Sequence, residues 1–231
     1  MSGEVHGPAE YYATPAGAAA ARILARRLRA LWPALPGMAV LGIGHAVPYL
    51  GLWRAEAARC IALSPPQLGP VVPGQGATLM AEEDALPFPD LSFDRILVVH
   101  GLETAENTRR LLREVWRVLK DDGRVLVVAA NRRGLWARAE HTPFGHGQPY
   151  SPGQVTRLLT RHLFHVERRD AALFTPPYAP FLRAAGTWEG LGRALCPARH
   201  AGLAIVEAEK DLLSATPAGA VAVRRRILAA T

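Results

Sequence analysis

The chain has few of the features that mark secreted, membrane-spanning or metal-binding proteins. Its 231 residues include only two cysteines, Cys60 and Cys196, which lack the paired spacing of a disulfide framework or a zinc site. No apolar run reaches the roughly 20 residues that a membrane-spanning helix needs. The first residues also lack the basic and apolar segments of a signal peptide. We therefore expect free thiols, a cytoplasmic location, no metal site and no transmembrane segment.

Lysine is nearly absent as well. Lys120 and Lys210 are the only two, so arginine supplies almost all the positive charge behind the net charge of +7. The arginines are scattered over several predicted helices, whereas nucleic-acid-binding proteins usually concentrate charge on one face. This pattern favours solvated helix faces and gives no clear nucleic-acid site. With 49% hydrophobic and 20% charged residues, the chain is typical of one folded domain over residues 1–231.

The central feature of the sequence is a pair of glycines that follows a short apolar run. The run from Met38 ends in Gly42-x-Gly44, and a helix is predicted to follow from Val47 or Pro48 to about residue 58. Such a strand brings its carboxyl end to nucleotide-like ligands, because glycine allows close approach and the helix start offers free N–H groups. The alternative is a tight strand-to-helix turn that binds nothing. A nicotinamide-binding fingerprint fits less well, since Val47 stands at its third glycine and its acidic residue is missing.

The apolar pattern elsewhere predicts alternating helices and strands. Residues 1–15 have no periodicity and are expected to form an arm or loop, whereas residues 16–35 show helical spacing. Ser151 and Gln154 match the capping box of a further helix. Gly123 is expected at the C′ position of another. Strands are predicted at 59–64, 78–80, before His100, at 124–131, about 164–174 and 200–210, and helices at 104–120 and 151–162.

Three segments in a fixed order resemble a known family. They are the loop Leu86-Pro87-Phe88 to Ser92-Phe93-Asp94, the helix 114–120 and the strand start 123–126. In these residues the chain resembles class I S-adenosylmethionine-dependent methyltransferases of type 11, including quinone-biosynthesis C-methylases. The resemblance implies an α/β fold: a doubly wound, mostly parallel, seven-stranded sheet with helices on both faces. It also implies S-adenosylmethionine as cofactor. The sequence pattern itself predicts an N-terminal arm and helix over 1–36. Beyond the family pattern, residues 131–151 and 175–195 are expected to form a substrate-loop or lid insertion, with structural packing or a dimer surface as the alternatives.

The resemblance also implies which residues of this chain would bind the cofactor. Gly42 and Gly44 would pass under the methionine part of the cofactor, Glu82 or Glu83 would meet the adenine amino group, and His100 would face the methyl group.

This sequence departs from the family pattern at several of these positions. Ala62 stands where relatives carry the carboxylate that holds the ribose hydroxyls, which puts cofactor binding in doubt. Gly42 itself replaces a usual acidic residue, and Ala46 and Pro48 replace usual glycines. Ser64 or Gln67 are the residues that would partly compensate for the missing ribose contact.

Two functions remain open from the sequence. The first is methyl transfer to a small or apolar acceptor, with His100 or Tyr150 assisting proton loss, because an imidazole can accept a proton near neutral pH. The second is a methyltransferase-like binding or scaffold protein that does not use the cofactor. His141 and His146 lie in a Gly-rich loop, but their spacing alone is a weak metal signal. The protein is expected to be a monomer or homodimer, with an unidentified protein partner as a further possibility.

Overall fold

A seven-stranded sheet forms the centre of the protein. The structure, a computed structural model, describes residues 8–64, 77–82, 85–139, 142, 144 and 147–212. The spatial order of the strands is β3-β2-β1-β4-β5-β7-β6. Their bounds are β1 Ala39–Gly44, β2 Arg59–Ser64, β3 Ala77–Met80, β4 Phe93–Val99, β5 Leu119–Ala130, β6 Phe164–Ala172 and β7 Leu203–Lys210.

The sheet is mostly parallel, as the family resemblance predicts. Strands β1 to β5 pair in parallel, and β7 runs antiparallel between β5 and β6. The chain order reverses at β1, because β2 and β3 lie on one side of it and β4 on the other. In open α/β sheets, ligands bind at the carboxyl ends of the strands beside such a reversal.

Helices cover both faces of the sheet. The core of one face includes buried residues of α2 and α3, and the core of the other includes those of α5 and α6. No helix of the described part of the chain is both long and apolar enough to cross a bilayer. The helices are α1 Pro8–Ala13, α2 Pro15–Leu31, α3 Val47–Leu50, α4 Gly101–Thr104, α5 Thr108–Val118, α6 Pro152–Arg161, α7 Ala179–Arg183 and α8 Ala185–Leu195.

Several element boundaries differ from the sequence predictions. The arm expected before residue 15 contains the short helix α1, and the helix after the glycine turn ends at Leu50. The helix expected over 104–120 is α5, which begins only at Thr108, because the Asn107 side chain caps it by accepting a hydrogen bond from the Arg110 N–H. Gly123 is not a helix cap: it lies within β5, where a Cβ would come 2.7 Å from the Leu119 side chain.

Candidate active site

Two histidines follow neighbouring strands at the carboxyl edge of the sheet. Gly44, the last residue of β1, pairs with Val99, the last residue of β4. The N–H of His45 donates to the Val99 carbonyl at 2.7 Å, and the N–H of His100 donates to the Val128 carbonyl at 3.0 Å. The sheet therefore places both imidazoles at the reversal of strand order.

Packing within the protein explains both glycines of the turn. Gly44 has a φ of 72°, and a Cβ there would lie 2.4 Å from the Val99 carbonyl oxygen. A Cβ on Gly42 would come 2.9 Å from the side chains of Ala46 and Leu50. The turn thus needs glycine for its own geometry, whether or not a ligand passes over it.

A buried chain of hydrogen bonds runs through His100. The hydroxyl of Tyr12 lies 2.9 Å from Nε2, and Nδ1 lies 2.6 Å from Oε1 of Glu103. The same Oε1 accepts the N–H of Ala130 at 2.9 Å. Because a carboxylate can only accept, this pattern assigns the ring proton to Nδ1 and leaves Nε2 to accept from Tyr12. His100 is 3% exposed and Glu103 8%, so the pair is shielded from water.

His100 has an unusual backbone. Its φ of 54° and ψ of 16° lie in the left-handed region, which costs a non-glycine residue about 1–2 kcal/mol. The Thr104 hydroxyl donates to the His100 carbonyl at 2.7 Å and helps to hold this conformation. Strained backbone of this kind is concentrated at functional sites.

Aromatic rings from distant segments cover the two histidines. The Tyr12 ring of α1 stacks on the His45 ring, with centroids 4.6 Å apart and planes at 12°. The Phe144 ring meets His100 edge-on at 5.4 Å and Tyr11 at 5.7 Å. These rings pack against one another around the polar chain. We call the rings and the hydrogen-bonded chain together the aromatic cluster.

Burial in this cluster favours the neutral forms of His45, Tyr11 and Tyr12. Burial, with a smaller electrostatic contribution from the neighbouring His100, lowers the pKa of His45 from 6.5 to about 3. Burial also raises the pKa of the Tyr11 and Tyr12 hydroxyls above their usual range. The buried polar atoms here that have no hydrogen-bond partner within the described residues include the Tyr11 hydroxyl, His45 Nε2 and Glu103 Oε2. Unpaired buried groups of this kind are uncommon and suit a site for a polar ligand.

Solved structures share this architecture. The chain aligns with one chain of the complex between the Haloferax volcanii Trm112 methyltransferase activator and a methyltransferase, with a TM-score of 0.62, 17% identity and coverage of 88% of this chain and 96% of that one. It aligns with a SAM-dependent methyltransferase from Archaeoglobus fulgidus at a TM-score of 0.60, with 16% identity and coverage of 87% and 96%. Similarity at these identities shows the fold.

Sequence comparison adds a family match to this fold. Residues 41–127 match a family model described as a methyltransferase domain. This segment of the chain is therefore similar to methyltransferases in both sequence and fold.

Curated relatives match the chain over short segments. The ubiquinone/menaquinone biosynthesis C-methyltransferase UbiE of Enterobacter sp. (strain 638) is 42% identical over 57 residues, 25% of this chain and 23% of the relative. The protein of the same name from Pseudoalteromonas translucida is 47% identical over 45 residues, 20% of this chain and 18% of the relative. The matches therefore span about a fifth of the length of these relatives.

The positions predicted to face the donor lie near the carboxyl ends of the strands. Ala62 is buried in β2, paired with Gly42 of β1. Ser64 is buried at the end of β2, and Glu82 is exposed just beyond β3. Within the described residues no three His, Cys, Asp or Glu side chains are grouped to hold a metal. Glu83, Gln67, His141 and His146 lie outside the described residues.

The other predicted catalytic residue does not contact His100 in the structure. The Tyr150 hydroxyl lies 3.4 Å from Thr108 Oγ1, and Tyr150 packs against the core of the opposite sheet face from Phe144. Sequence reasoning missed the roles of Tyr12 and Glu103. For Tyr12, the available signal was the pair of tyrosines at positions 11 and 12. For Glu103, it was the spacing of three residues from His100, which brings two side chains together on a helix.

Lowering the pH from 7 to 4 is expected to reduce the free energy of unfolding through His45. The unfolded chain takes up this proton near pH 6.5, whereas the folded protein takes it up only near 3. The unfolded state therefore binds more protons between these values, and stability falls as the pH drops. Through His45, each pH unit in this window lowers the free energy of unfolding by at most about 1.4 kcal/mol. Urea unfolding at both pH values measures the fall, which a His45→Gln variant should reduce; an equal fall in the variant would contradict the assignment.

Proposed function

We propose that this protein transfers a methyl group from S-adenosylmethionine to a small or apolar acceptor that carries an acidic O–H group. The observation that carries the proposal is the buried Tyr12, His100 and Glu103 chain beside the glycine turn. Bound S-adenosylmethionine supplies an electrophilic sulfonium methyl group, and the acceptor must present a nucleophilic oxygen. The protein then has to orient that oxygen, exclude water and take up its proton.

His100 is the proposed proton acceptor. Its Nε2 already accepts a hydrogen bond from the Tyr12 hydroxyl, so an acceptor hydroxyl that takes the place of Tyr12 would meet the same lone pair. The proton would move from the acceptor oxygen to Nε2. The Glu103 carboxylate at Nδ1 would fix the tautomer and stabilise the imidazolium that forms. Tyr150 stays a second candidate, at a separate position near Thr108.

The residues fit the donor at one end better than at the other. The family resemblance assigns Gly42 and Gly44 to its methionine part, and the unpaired atoms of Tyr11, His45 and Glu103 would suit a charged amino acid group. Glu82 or Glu83 would serve the adenine amino group. At the ribose the fit is poor, because the Ala62 side chain offers no hydrogen bond and Ser64 is the nearest hydroxyl along β2.

The organisation of the chain supports one functional unit. The N-terminal arm and helix over residues 1–36 contribute Tyr12, and the insertion 131–151 contributes Phe144. We therefore treat residues 1–231 as a single methyltransferase-like domain. The unpaired cysteines fit a cytoplasmic location.

Calorimetry tests donor binding. Wild-type protein is expected to bind S-adenosylhomocysteine weakly, and Ala62→Asp is expected to tighten binding by about tenfold or more, since each hydrogen bond to a charged group contributes roughly 1.5–3 kcal/mol. Ala62→Asn is the matched control, because it adds similar volume without charge and should gain less. Thermal unfolding shows whether the buried substitutions leave the protein folded. No heat from wild type or from folded Ala62→Asp at millimolar ligand would remove support for methyl transfer.

The alternative function is that of a binding protein that does not use the cofactor. The Tyr12 and His45 rings stack directly beside the glycine turn, and Ala62 lacks the ribose contact. A fold alone does not fix a reaction. This alternative predicts that neither S-adenosylmethionine nor S-adenosylhomocysteine binds.

A further inference from the structure

A second cavity opens just beyond the end of β5. Its volume is about 460 Å³, which is within the range of small-molecule sites. Polar side chains and apolar surface contribute about equally to its lining. We call this cavity the β5 pocket, and its lining residues are Arg132, Ala137, Gln148, Pro149, Tyr150 and Gln154.

The β5 pocket lies beside the proposed proton acceptor. The Val128 carbonyl accepts the N–H of His100, and the Ala130 carbonyl accepts the N–H of Tyr150 at 3.0 Å. Between these two bonds, the Ala130 N–H donates to the Glu103 carboxylate. Tyr150 therefore pairs with β5 two residues beyond His100, roughly 7 Å further along at the rise of a parallel strand. The pocket and the His100 pair share one edge of β5.

The polar side chains of the pocket are available as hydrogen-bond donors. The side chains of Arg132 and Gln148 have no partner in the part of the chain that the structure describes. Gln154 Oε1 accepts the Ser151 N–H at 2.8 Å, so its amide nitrogen remains to donate. None of the described lining residues is acidic. Donors without a carboxylate suit an anion, and the planar guanidinium of arginine matches a carboxylate in particular.

We propose that the β5 pocket binds a carboxylate of the methyl acceptor, which is then an aromatic hydroxy acid. This inference rests on the proposed function, because the acceptor hydroxyl would face His100. Arg132 would pair with the carboxylate, and the amides of Gln148 and Gln154 would donate to it. The ring of the acceptor would pack on Pro149 and Tyr150. A benzene ring with its hydroxyl and carboxylate at opposite positions is comparable in length with the offset along β5.

Calorimetry with para-hydroxybenzoate tests the pocket, with and without saturating S-adenosylhomocysteine. The neutral para-hydroxybenzamide has nearly the same shape, and we expect it to bind at least about tenfold more weakly. Arg132→Gln should remove this preference. Because Arg132 is exposed, high salt should weaken binding of the acid. Arg133→Gln is the matched control, since Arg133 is also exposed, carries the same charge and does not line the pocket.

Gln154→Glu is a second variant that is expected to keep the fold. Glutamate serves the N3 position of a capping box as well as glutamine does, so the bond to the Ser151 N–H is retained. The second carboxylate oxygen, however, places a negative charge in the pocket. Affinity for para-hydroxybenzoate should fall at least about tenfold, while that for the benzamide changes little. Thermal unfolding at the wild-type temperature confirms that the variant is folded.

Several results would overturn the pocket assignment. They are no binding of para-hydroxybenzoate, equal affinity for the acid and the amide, and equal losses in Arg132→Gln and Arg133→Gln. Tighter binding of para-hydroxyphenyl phosphate than of the benzoate would overturn the choice of a carboxylate. Arg132-dependent binding of the benzoate by a protein that binds no S-adenosylhomocysteine would support the pocket and contradict methyl transfer. Binding of S-adenosylhomocysteine without binding of the benzoate would do the reverse.

Discussion

Replacing His100 with glutamine is expected to lower kcat for methyl transfer to an acidic O–H acceptor by about two to four orders of magnitude. Glutamine keeps a polar side chain of similar reach but cannot take up the proton. Affinity for S-adenosylhomocysteine should change little, since His100 is bonded to Tyr12 and Glu103 through its ring nitrogens. Transfer of a tritiated methyl group to a panel of phenols and other acidic hydroxyl compounds measures the rate.

A second histidine provides the control for that experiment. His162 caps the end of α6, where its Nδ1 lies 2.8 Å from the Leu158 carbonyl, remote from the strand ends. His162→Gln should leave kcat unchanged. Full activity in folded His100→Gln would contradict the proton-acceptor role, and an equal loss in both variants would point to a general effect on folding.

Gly44→Ala is expected to reduce the free energy of unfolding by about 3 kcal/mol or more. Two costs add here. The φ of 72° is unfavourable for alanine, at about 1–2 kcal/mol, and the new Cβ would sit 2.4 Å from the Val99 carbonyl oxygen. That carbonyl accepts the His45 N–H, so it cannot move without opening the junction of β1 and β4. Urea unfolding of the variant and wild type measures the difference.

Gly37→Ala separates the two costs. Gly37 has a similar φ of 69°, but nothing lies within 4 Å of the position its Cβ would take. This variant should lose only the conformational part, about 1–2 kcal/mol. If both alanine variants lose the same free energy, the close approach of β1 to β4 contributes nothing and our account of the turn is wrong.

The sheet could be predicted from sequence because each strand carries its own signal. Strand β5 is apolar enough to be buried on both faces, which is typical of parallel strands, and the structure confirms this. The capping box of Ser151 and Gln154 is confirmed too, since it involves residues three apart. Local patterns of this kind need no knowledge of tertiary contacts.

The aromatic cluster could not be predicted, because its residues are distant in sequence and come together only in the folded structure. Tyr12 contacts His100 although 88 positions separate them in the sequence, and no local pattern predicts that contact. Helix α1 is six residues long, too short to form reliably from its own propensity, so an arm was the natural expectation. Phe144 lies in a loop, where sequence gives little guidance on packing.

One carboxylate oxygen of Glu103 accepts two hydrogen bonds, and this affects which substitutions such a protein can tolerate during evolution. Oε1 accepts both the His100 ring and the Ala130 N–H, so it joins the end of β4 to the end of β5. Loss of this carboxylate would leave a buried N–H unsatisfied, at a cost of about 1–3 kcal/mol, even in a protein with no reaction to perform. A descendant that had given up catalysis would therefore still be selected to keep Glu103. The presence of Glu103 alone therefore does not distinguish a protein that catalyses a reaction from one that keeps only the fold.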